Sequence, residues 1–354
     1  MRILVTGGAG FVGSFLAREY KKKYPQCEVI AFDNLKRRGS EVNVRKFKKE
    51  GIEFVHGDIR DKSDLEDLKG NFDLFLECSA EPSVQAGLDG SPNYVLSTNL
   101  TGTLHCLELA RKKAKKFIFL STSRVYSIEH LRNIEFKEGE TRLIPVENQK
   151  IAGLSAKGIT EKFGTDLPRS FYGATKLASE LMVQEYAFSY GMDCLINRCG
   201  VLAGQGQFGK VDQGVVTLWV LKHAFNQNLS FTGFGGKGLQ VRDVLHPSDL
   251  FELIEKQLLV SDQHKGKIFN VGGGLENSCS LKELTDLTVE VTGKKIPIQS
   301  NSTTSPVDIP WYVTDNSVVE KTFDWRQTRT LKQNLSEIHA WIQENRKEVE
   351  EILL

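Results

Sequence analysis

Thr6-Gly7-Gly8-Ala9-Gly10-Phe11-Val12-Gly13 follows directly on the apolar run Arg2 to Val5 and opens an amphipathic stretch, Val12 to Lys22. Glycines at 7, 10 and 13 let a backbone turn tightly from a strand into a helix. They also let that backbone approach a pyrophosphate lying at the helix N-terminus, where N–H groups and the helix dipole favour an anion. An acidic residue, Asp33, ends the next apolar run about 20 residues on. A carboxylate there accepts hydrogen bonds from adenosine ribose hydroxyls and repels a 2′-phosphate, which selects NAD over NADP.

The pattern continues outward from this turn. Short apolar runs recur at Glu28 to Phe32, Glu53 to Val55, Leu74 to Leu76, Phe117 to Leu120 and Cys194 to Ile196. None alternates strictly, as expected of strands covered on both faces. Helical patterns lie between them, at Leu65 to Leu68, Asn99 to Lys112 and Gly173 to Tyr190. Strand–helix alternation of this kind predicts an α/β protein with a doubly wound parallel sheet. The basic run from Arg111 to Lys116 reads as a solvated helix end that suits the dipole. After residue 200 the glycine clusters 204–209 and 233–238 and shorter elements predict a second, smaller lobe, ending in a charged helix from about Leu331 to Leu354. The expected division is 1–200 and 201–354, with some segments returning to the first domain, and the cleft between the lobes is the default ligand site.

Composition excludes several classes. The 354 residues carry 46 Lys plus Arg against 45 Asp plus Glu, a net charge of +1. Nucleic-acid and membrane-surface binding usually need a clear positive excess, so neither partner is expected. No run of about 18 apolar residues occurs, so no spanning helix is expected. The glycine-rich start has no basic region beyond Arg2 and does not read as a signal peptide, which makes the cytoplasm the expected compartment. The six cysteines form no CxxC pair and no His sits at zinc-finger spacing. They are expected to be reduced, mostly buried thiols, with no metal site.

A second motif is Tyr172-Gly173-Ala174-Thr175-Lys176. Four-residue spacing puts both side chains on one helical face. An ammonium beside a phenol stabilises phenolate and so lowers the phenol pKa, giving a base able to remove a proton from a sugar hydroxyl. Fifty residues upstream, Leu120-Ser121-Thr122-Ser123-Arg124-Val125-Tyr126 reads as a hydroxyl-rich strand end.

Together the three motifs resemble the extended short-chain dehydrogenase/reductase family, and within it the nucleotide-sugar epimerases and dehydratases. The resemblance covers nearly the whole chain. It includes Gly57-Asp58-Ile59-Arg60, Cys78-Ser79-Ala80, Asn99, Val241-Arg242-Asp243-Val244-Leu245-His246 and Phe269-Asn270-Val271-Gly272-Gly273. It implies a Rossmann-type fold with a C-terminal substrate lobe, and NAD as cofactor. It places Thr122 as the catalytic Ser/Thr, Tyr172 as the base and Lys176 as its partner. Gly7, Gly10, Phe11, Val12, Gly13, Asp33, Asn34, Asp58, Ile59, Ser79, Ala80, Asn99 and Ser121, with Tyr172 and Lys176, would line the cofactor. Ser123, Arg124, Val201, Gln207, Gln213, Arg242 and Asp308 would meet the substrate, with Arg242 on its diphosphate. Family proteins are often dimers through two long helices, here about Thr103 to Lys112 and Gly173 to Tyr190, so a homodimer is expected.

Several positions depart from the family pattern. Glu77 stands where a His is usual and Glu81 where Gln or Gly is common. The stretch Arg198 to Gly204 lacks the usual Asn and Tyr. Ser123 and Arg124 replace the Asp–Glu pair that dehydratases use to protonate a leaving hydroxyl, which leaves epimerisation as the expected reaction. The segment of about 45 residues between Tyr126 and Tyr172, the loop Gln205 to Gly214 with its Asp212-Gln213-Gly214 step, Trp219 and the 241–246 segment resemble those of CDP-paratose 2-epimerases. That implies inversion at carbon 2 of a CDP-hexose. The alternatives are a UDP-hexose 4-epimerase whose insert is only a surface lid, and a non-catalytic NAD-binding protein.

Overall fold

A computed structural model of the chain describes residues 1–208, 213–260 and 263–353. It divides into two compact units. The first holds Met1–Val125, Ser170–Arg198 and Phe251–Phe269; the second holds Tyr126–Arg169, Cys199–Leu250 and Asn270–Leu354. The division thus differs from a boundary at residue 200 chiefly in the stretch 126–169, which packs with the C-terminal half.

In the first unit the elements run β1 (Arg2–Thr6), α1 (Phe11–Lys23), β2 (Glu28–Asp33), α2 (Ser40–Glu50), β3 (Glu53–His56), β4 (Phe72–Glu77), α3 (Gly102–Lys113), β5 (Ala114–Thr122), α4 (Phe171–Tyr190), β6 (Asp193–Cys199) and β7 (Lys267–Val271). The strands form one seven-stranded sheet in the order β7-β6-β5-β4-β1-β2-β3. The pairs β1–β2, β2–β3, β1–β4 and β4–β5 are parallel. The order reverses between β1 and β4, the switch point at which open α/β sheets bind ligands. This is the doubly wound sheet expected from the sequence. Leu4, Ile30, Phe32, Phe75, Phe117 and Phe119 belong to its buried core, which is why the strands read as unbroken apolar runs.

Helix ends follow the local chemistry. Ser170 Oγ accepts from Gly173 N at 3.1 Å and opens α4, and Gly191, at φ +67°, ends it. Lys21, Lys22 and Lys23 close α1 at the negative end of its dipole. The helical pattern beginning at Asn99 opens with a π-turn, Ser97–Thr101, before α3, an irregularity that periodicity alone does not reveal.

The second unit is built on the strand Val241–Leu245, which pairs parallel with Val201–Leu202 and Trp311–Tyr312 and antiparallel with Ser278–Ser280. Helices Val215–Ala224, Leu281–Thr292 and Leu331–Glu344 pack together beside it. The expected C-terminal helix is broken at Asn345 into Leu331–Glu344 and Arg346–Leu353. All six cysteines are free and five are buried. Among the described residues no helix is long and apolar enough to cross a membrane.

The glycine turn is tightly packed. A Cβ at Gly13 would lie 2.2 Å from the Gly7 carbonyl oxygen and 2.8 Å from its carbon. Both are backbone atoms, so α1 or the turn would have to move. Gly13→Ala is expected to destabilise the protein by about 1–3 kcal/mol, the usual cost of overpacking. Chemical denaturation of the variant beside the parent checks this, and an unchanged midpoint would contradict the close approach.

Candidate active site

The turn after β1 is a cradle that side chains would fill. Gly7 adopts φ +63°, and a Cβ there would meet the Cys78 backbone at 2.8 Å. Gly10 is the N-cap of α1 and offers no side-chain cap, and the first turn holds no acidic residue. The helix N-terminus therefore keeps its affinity for an outside anion. Asp33, at the end of β2, accepts from Ala9 N at 3.1 Å and from Leu35 N at 2.8 Å. Burial leaves its carboxyl above the ordinary value even though these N–H groups oppose the shift.

The neighbouring positions are mutually braced. Asn34 Nδ2 donates to Asp58 Oδ2 at 2.9 Å, and Arg60 donates to the same carboxylate at 2.6 Å. Burial works to raise Asp58, but these bonds outweigh it and hold the carboxyl at about 2. Ile59 is buried in the core, and its carbonyl lies 2.9 Å from His105 Nδ1. Asn99 is fully buried and uses both ends of its amide on one residue: Oδ1 accepts from Glu81 N at 2.7 Å and Nδ2 donates to Glu81 O at 3.0 Å. It thus fixes the 78–81 segment, which contains Ser79 and Ala80.

Thr122 ends β5, and its Oγ1 accepts from Arg124 N at 3.2 Å. That bond uses an oxygen lone pair and leaves the hydroxyl hydrogen to donate elsewhere. Tyr172 is half-buried in the first turn of α4, and Lys176 is buried one turn on. Lys176 Nζ donates to Leu120 O on β5 at 3.0 Å. Glu77 Oε2 lies 3.8 Å from the same nitrogen, and the ring of Phe119 lies 4.5 Å from it. Burial pushes the Glu77 carboxyl up to about 7, against the opposing pull of Lys176 and the Ser79 N–H. Lys176 thus bolts α4 to the strand carrying Thr122, and the structure brings the three expected catalytic residues into one unit. In that arrangement Tyr172 is the group able to take a hydroxyl proton, and Thr122 can donate to the oxygen that loses it.

Two residues of this region escaped the sequence reading. Ser121 Oγ donates to Glu180 Oε1 at 2.5 Å, and Arg198 forks onto the same carboxylate at 2.7–3.1 Å. Both charged side chains are buried. The available signal was spacing, since Glu180 follows Lys176 by four residues on one helical face.

The expected substrate residues Ser123 and Arg124 fall in the first unit, whereas Val201, Gln207, Gln213, Arg242 and Asp308 fall in the second. Arg242 Nη2 donates to Asp308 Oδ1 at 2.9 Å and to Ile309 O at 2.6 Å. Gln207 is buried, accepting from Thr217 at 2.8 Å and donating to Leu202 O at 3.1 Å. Gln213 Oε1 is buried without a hydrogen-bond partner among the described residues. Its neighbour Asp212 lies outside the described residues.

The model of the NAD dependent epimerase/dehydratase family matches residues 3–272. The chain belongs to that family. The family's cofactor is NAD, and the glycine cradle, the uncapped helix end and Asp33 fit it. The chain is 31% identical to CDP-paratose 2-epimerase of Salmonella typhi, over 96% of this chain and 99% of that protein. It is 32% identical to a putative UDP-glucose 4-epimerase of Methanocaldococcus jannaschii, over 80% of each. The solved Thermus thermophilus UDP-glucose 4-epimerase, in complex with NAD, has a TM-score of 0.76 at 25% identity, covering 97% of this chain and 99% of that one.

Tyr172→Phe removes the hydroxyl and keeps the ring. Turnover is expected to fall by about two to four orders of magnitude, the worth of a positioned acid–base group, with the unfolding transition unmoved. Steady-state rates and thermal melts of the two proteins check this, and an unchanged rate would place the base elsewhere.

Proposed function

We propose that the chain is an NAD-dependent nucleotide-sugar epimerase that inverts carbon 2 of a CDP-hexose through a transient ketone. The observation that carries the reading is the near full-length similarity to CDP-paratose 2-epimerase, taken with the Thr122, Tyr172 and Lys176 set. NAD supplies the chemistry of removing and returning a hydride. The chain's own part is to orient the sugar, take the hydroxyl proton on Tyr172 and hold the carbonyl oxygen through Thr122. When the proton goes back, the hydroxyl stands on the other face of the carbon.

Dehydratases are also among the relatives, at 27% identity for dTDP-glucose 4,6-dehydratase of Actinoplanes. Elimination requires an acid beside the leaving hydroxyl. Ser123, which is buried, and Arg124 stand at those two positions, and neither can give up a proton near neutral pH. The second reading, UDP-hexose 4-epimerisation, is favoured by the Methanocaldococcus relative. The catalytic set acts on whichever carbinol is presented to it, so it cannot separate the two. Carbon 2 adjoins the anomeric diphosphate and carbon 4 lies across the ring, so the choice rests on how the diphosphate and sugar are held. Arg242 is assigned to the diphosphate. In the free protein its guanidinium already carries Asp308, so an incoming diphosphate competes with that carboxylate.

Product identity tests the reading. Purified protein is given CDP-paratose or CDP-glucose and, separately, UDP-glucose, and the sugars are resolved after hydrolysis. The 2-epimer from a CDP-sugar is expected; galactose from UDP-glucose with CDP-sugars untouched would establish the second reading instead. Arg242→Ala is expected to weaken binding of the nucleoside diphosphate by roughly 1.5–3 kcal/mol, the worth of a charge-assisted hydrogen bond. Calorimetric titration with CDP and UDP checks this, and unchanged affinity would remove Arg242 from the diphosphate site.

A further inference from the structure

Glu77 is fully buried at the C-terminal end of β4, within the central sheet. A carboxyl in that position has no structural need of a charge, and burying one is costly unless it is paired. Among the described residues, its surroundings supply one cation and otherwise neutral groups. On β1 its register partner is Thr6, and on β5 it is Phe119. From α3 it faces Cys106, whose thiol is pushed well above its ordinary value by burial and then by Glu77 itself, and so stays neutral. From its own loop the Ser79 N–H donates to Oε1 at 3.1 Å. From α4 comes Lys176, with Nζ 3.8 Å from Oε2. That separation is too long for a hydrogen bond, and Oε2 has no other hydrogen-bond partner among the described residues. The next charges along α4, Glu180 and its partner Arg198, are spent on each other.

Two acids thus share Lys176 as a candidate cation. One is Tyr172, one helical turn before it on the same face; the other is Glu77. Among the described residues, Lys176 is the one ammonium that lies within 4 Å of Glu77.

We infer that Glu77 is a positioning residue for the base: its carboxyl competes with the Tyr172 phenolate for the charge of Lys176, and so sets the pH at which the base becomes available. The inference rests on the reading of Tyr172 and Lys176 as base and partner. Its physical content is anticooperative titration of two coupled acids. While Glu77 is protonated, the ammonium is unopposed and favours phenolate. Once Glu77 ionises, part of that charge is neutralised and the phenol holds its proton more tightly. Burial places the Glu77 change at about 7.

The test has two readouts. In the first, kcat/KM is followed against pH for the parent, for Glu77→Gln, and for Glu77→His, which restores the residue usual in the family should the glutamine variant fold poorly. Removing the negative charge is expected to move the rising limb to lower pH by about one unit, the lower end of what one neighbouring charge does. Superimposable limbs would overturn the inference. The second readout needs neither substrate nor cofactor. A carboxyl whose folded pKa lies above its unfolded value binds more protons when folded, so stability falls as pH rises between the two values. Between pH 5 and 8 the melting temperature of the parent is expected to fall relative to that of Glu77→Gln, and a constant difference would overturn the titration. A fully active Tyr172→Phe would instead remove the base assignment, and this inference with it, while leaving the stability difference in place. The two failures are thereby told apart.

Discussion

A lysine ammonium enclosed in protein needs oxygen atoms around it, and Lys176 finds few. Nζ donates to Leu120 O on β5, and the carboxyl of Glu77 on β4 stands next to it. Those two contacts reach from α4 into two adjacent strands of the central sheet. They fix the rotation of α4 about its axis, and with it the direction of Tyr172 one turn earlier. They also fix the height of α4 against β5, whose next residues are Ser121 and Thr122. The proposed catalytic geometry thus rests on satisfying one buried charge. A helix held only by apolar contact could slide or turn at little cost, because dispersion and hydrophobic contacts have no direction.

The same logic recurs one turn further along α4. Glu180 receives Ser121 Oγ on one oxygen and the fork of Arg198 on both. Removing one partner of such a pair strands the other charge in the interior and typically costs about 3–5 kcal/mol. Two buried charges on α4 thus grip consecutive residues of β5, Leu120 through its carbonyl and Ser121 through its hydroxyl. Ion pairs of this kind add little net stability over an apolar core. What they add here is register, the property a hydride-transfer site demands, since reacting groups must be held to fractions of an ångström.

Much of this was legible in the sequence. The apolar runs at 2–5, 28–32, 53–55, 74–76, 117–120 and 194–196 each lie within a strand of the central sheet; all but the edge strand at 53–56 are largely buried, with no polar face to hide the signal. The glycine turn was legible because backbone crowding leaves a mark on residue type, as the 2.2 Å approach at Gly13 shows. The helix Ser40–Glu50 was missed, and its sequence explains why: SEVNVRKFKKE is mostly polar, with few apolar positions to set a period. Long-range pairings were equally hidden. Nothing local connects Glu77 with Lys176, or Asn99 with the backbone of Glu81. Periodicity reports which face is buried, not which polar atom lies opposite. Where the sequence did mark Glu77, it did so only as a departure from the family pattern.

The segment between Tyr126 and Arg169 shows where specificity can be built on such a frame. Read as a sequence it was open to being a surface lid. In the structure it is woven into the second unit. Arg142 donates through Nε to Glu283 Oε1 at 2.7 Å and through Nη1 to Ser278 Oγ at 2.9 Å. Glu283 is at the same time the capping-box residue of the helix Leu281–Thr292, so the insert is fastened to a helix end that needs that carboxylate in place. Ile159 bridges to Thr314, and Asn270 is held between Tyr126 Oη and Ile159 O. Arg132, also in the segment, donates to Asp308 O at 2.8 Å, and Asp308 in turn pairs with Arg242. The arginine assigned to the diphosphate is thus positioned by a residue that the insert itself braces. On the proposed assignment of Arg242, altering the insert shifts the diphosphate anchor as well as any wall it forms. On the proposed roles, Thr122, Tyr172 and Lys176 belong to the first unit, as do Ser123 and Arg124, whereas Arg242 and the insert that braces it belong to the second.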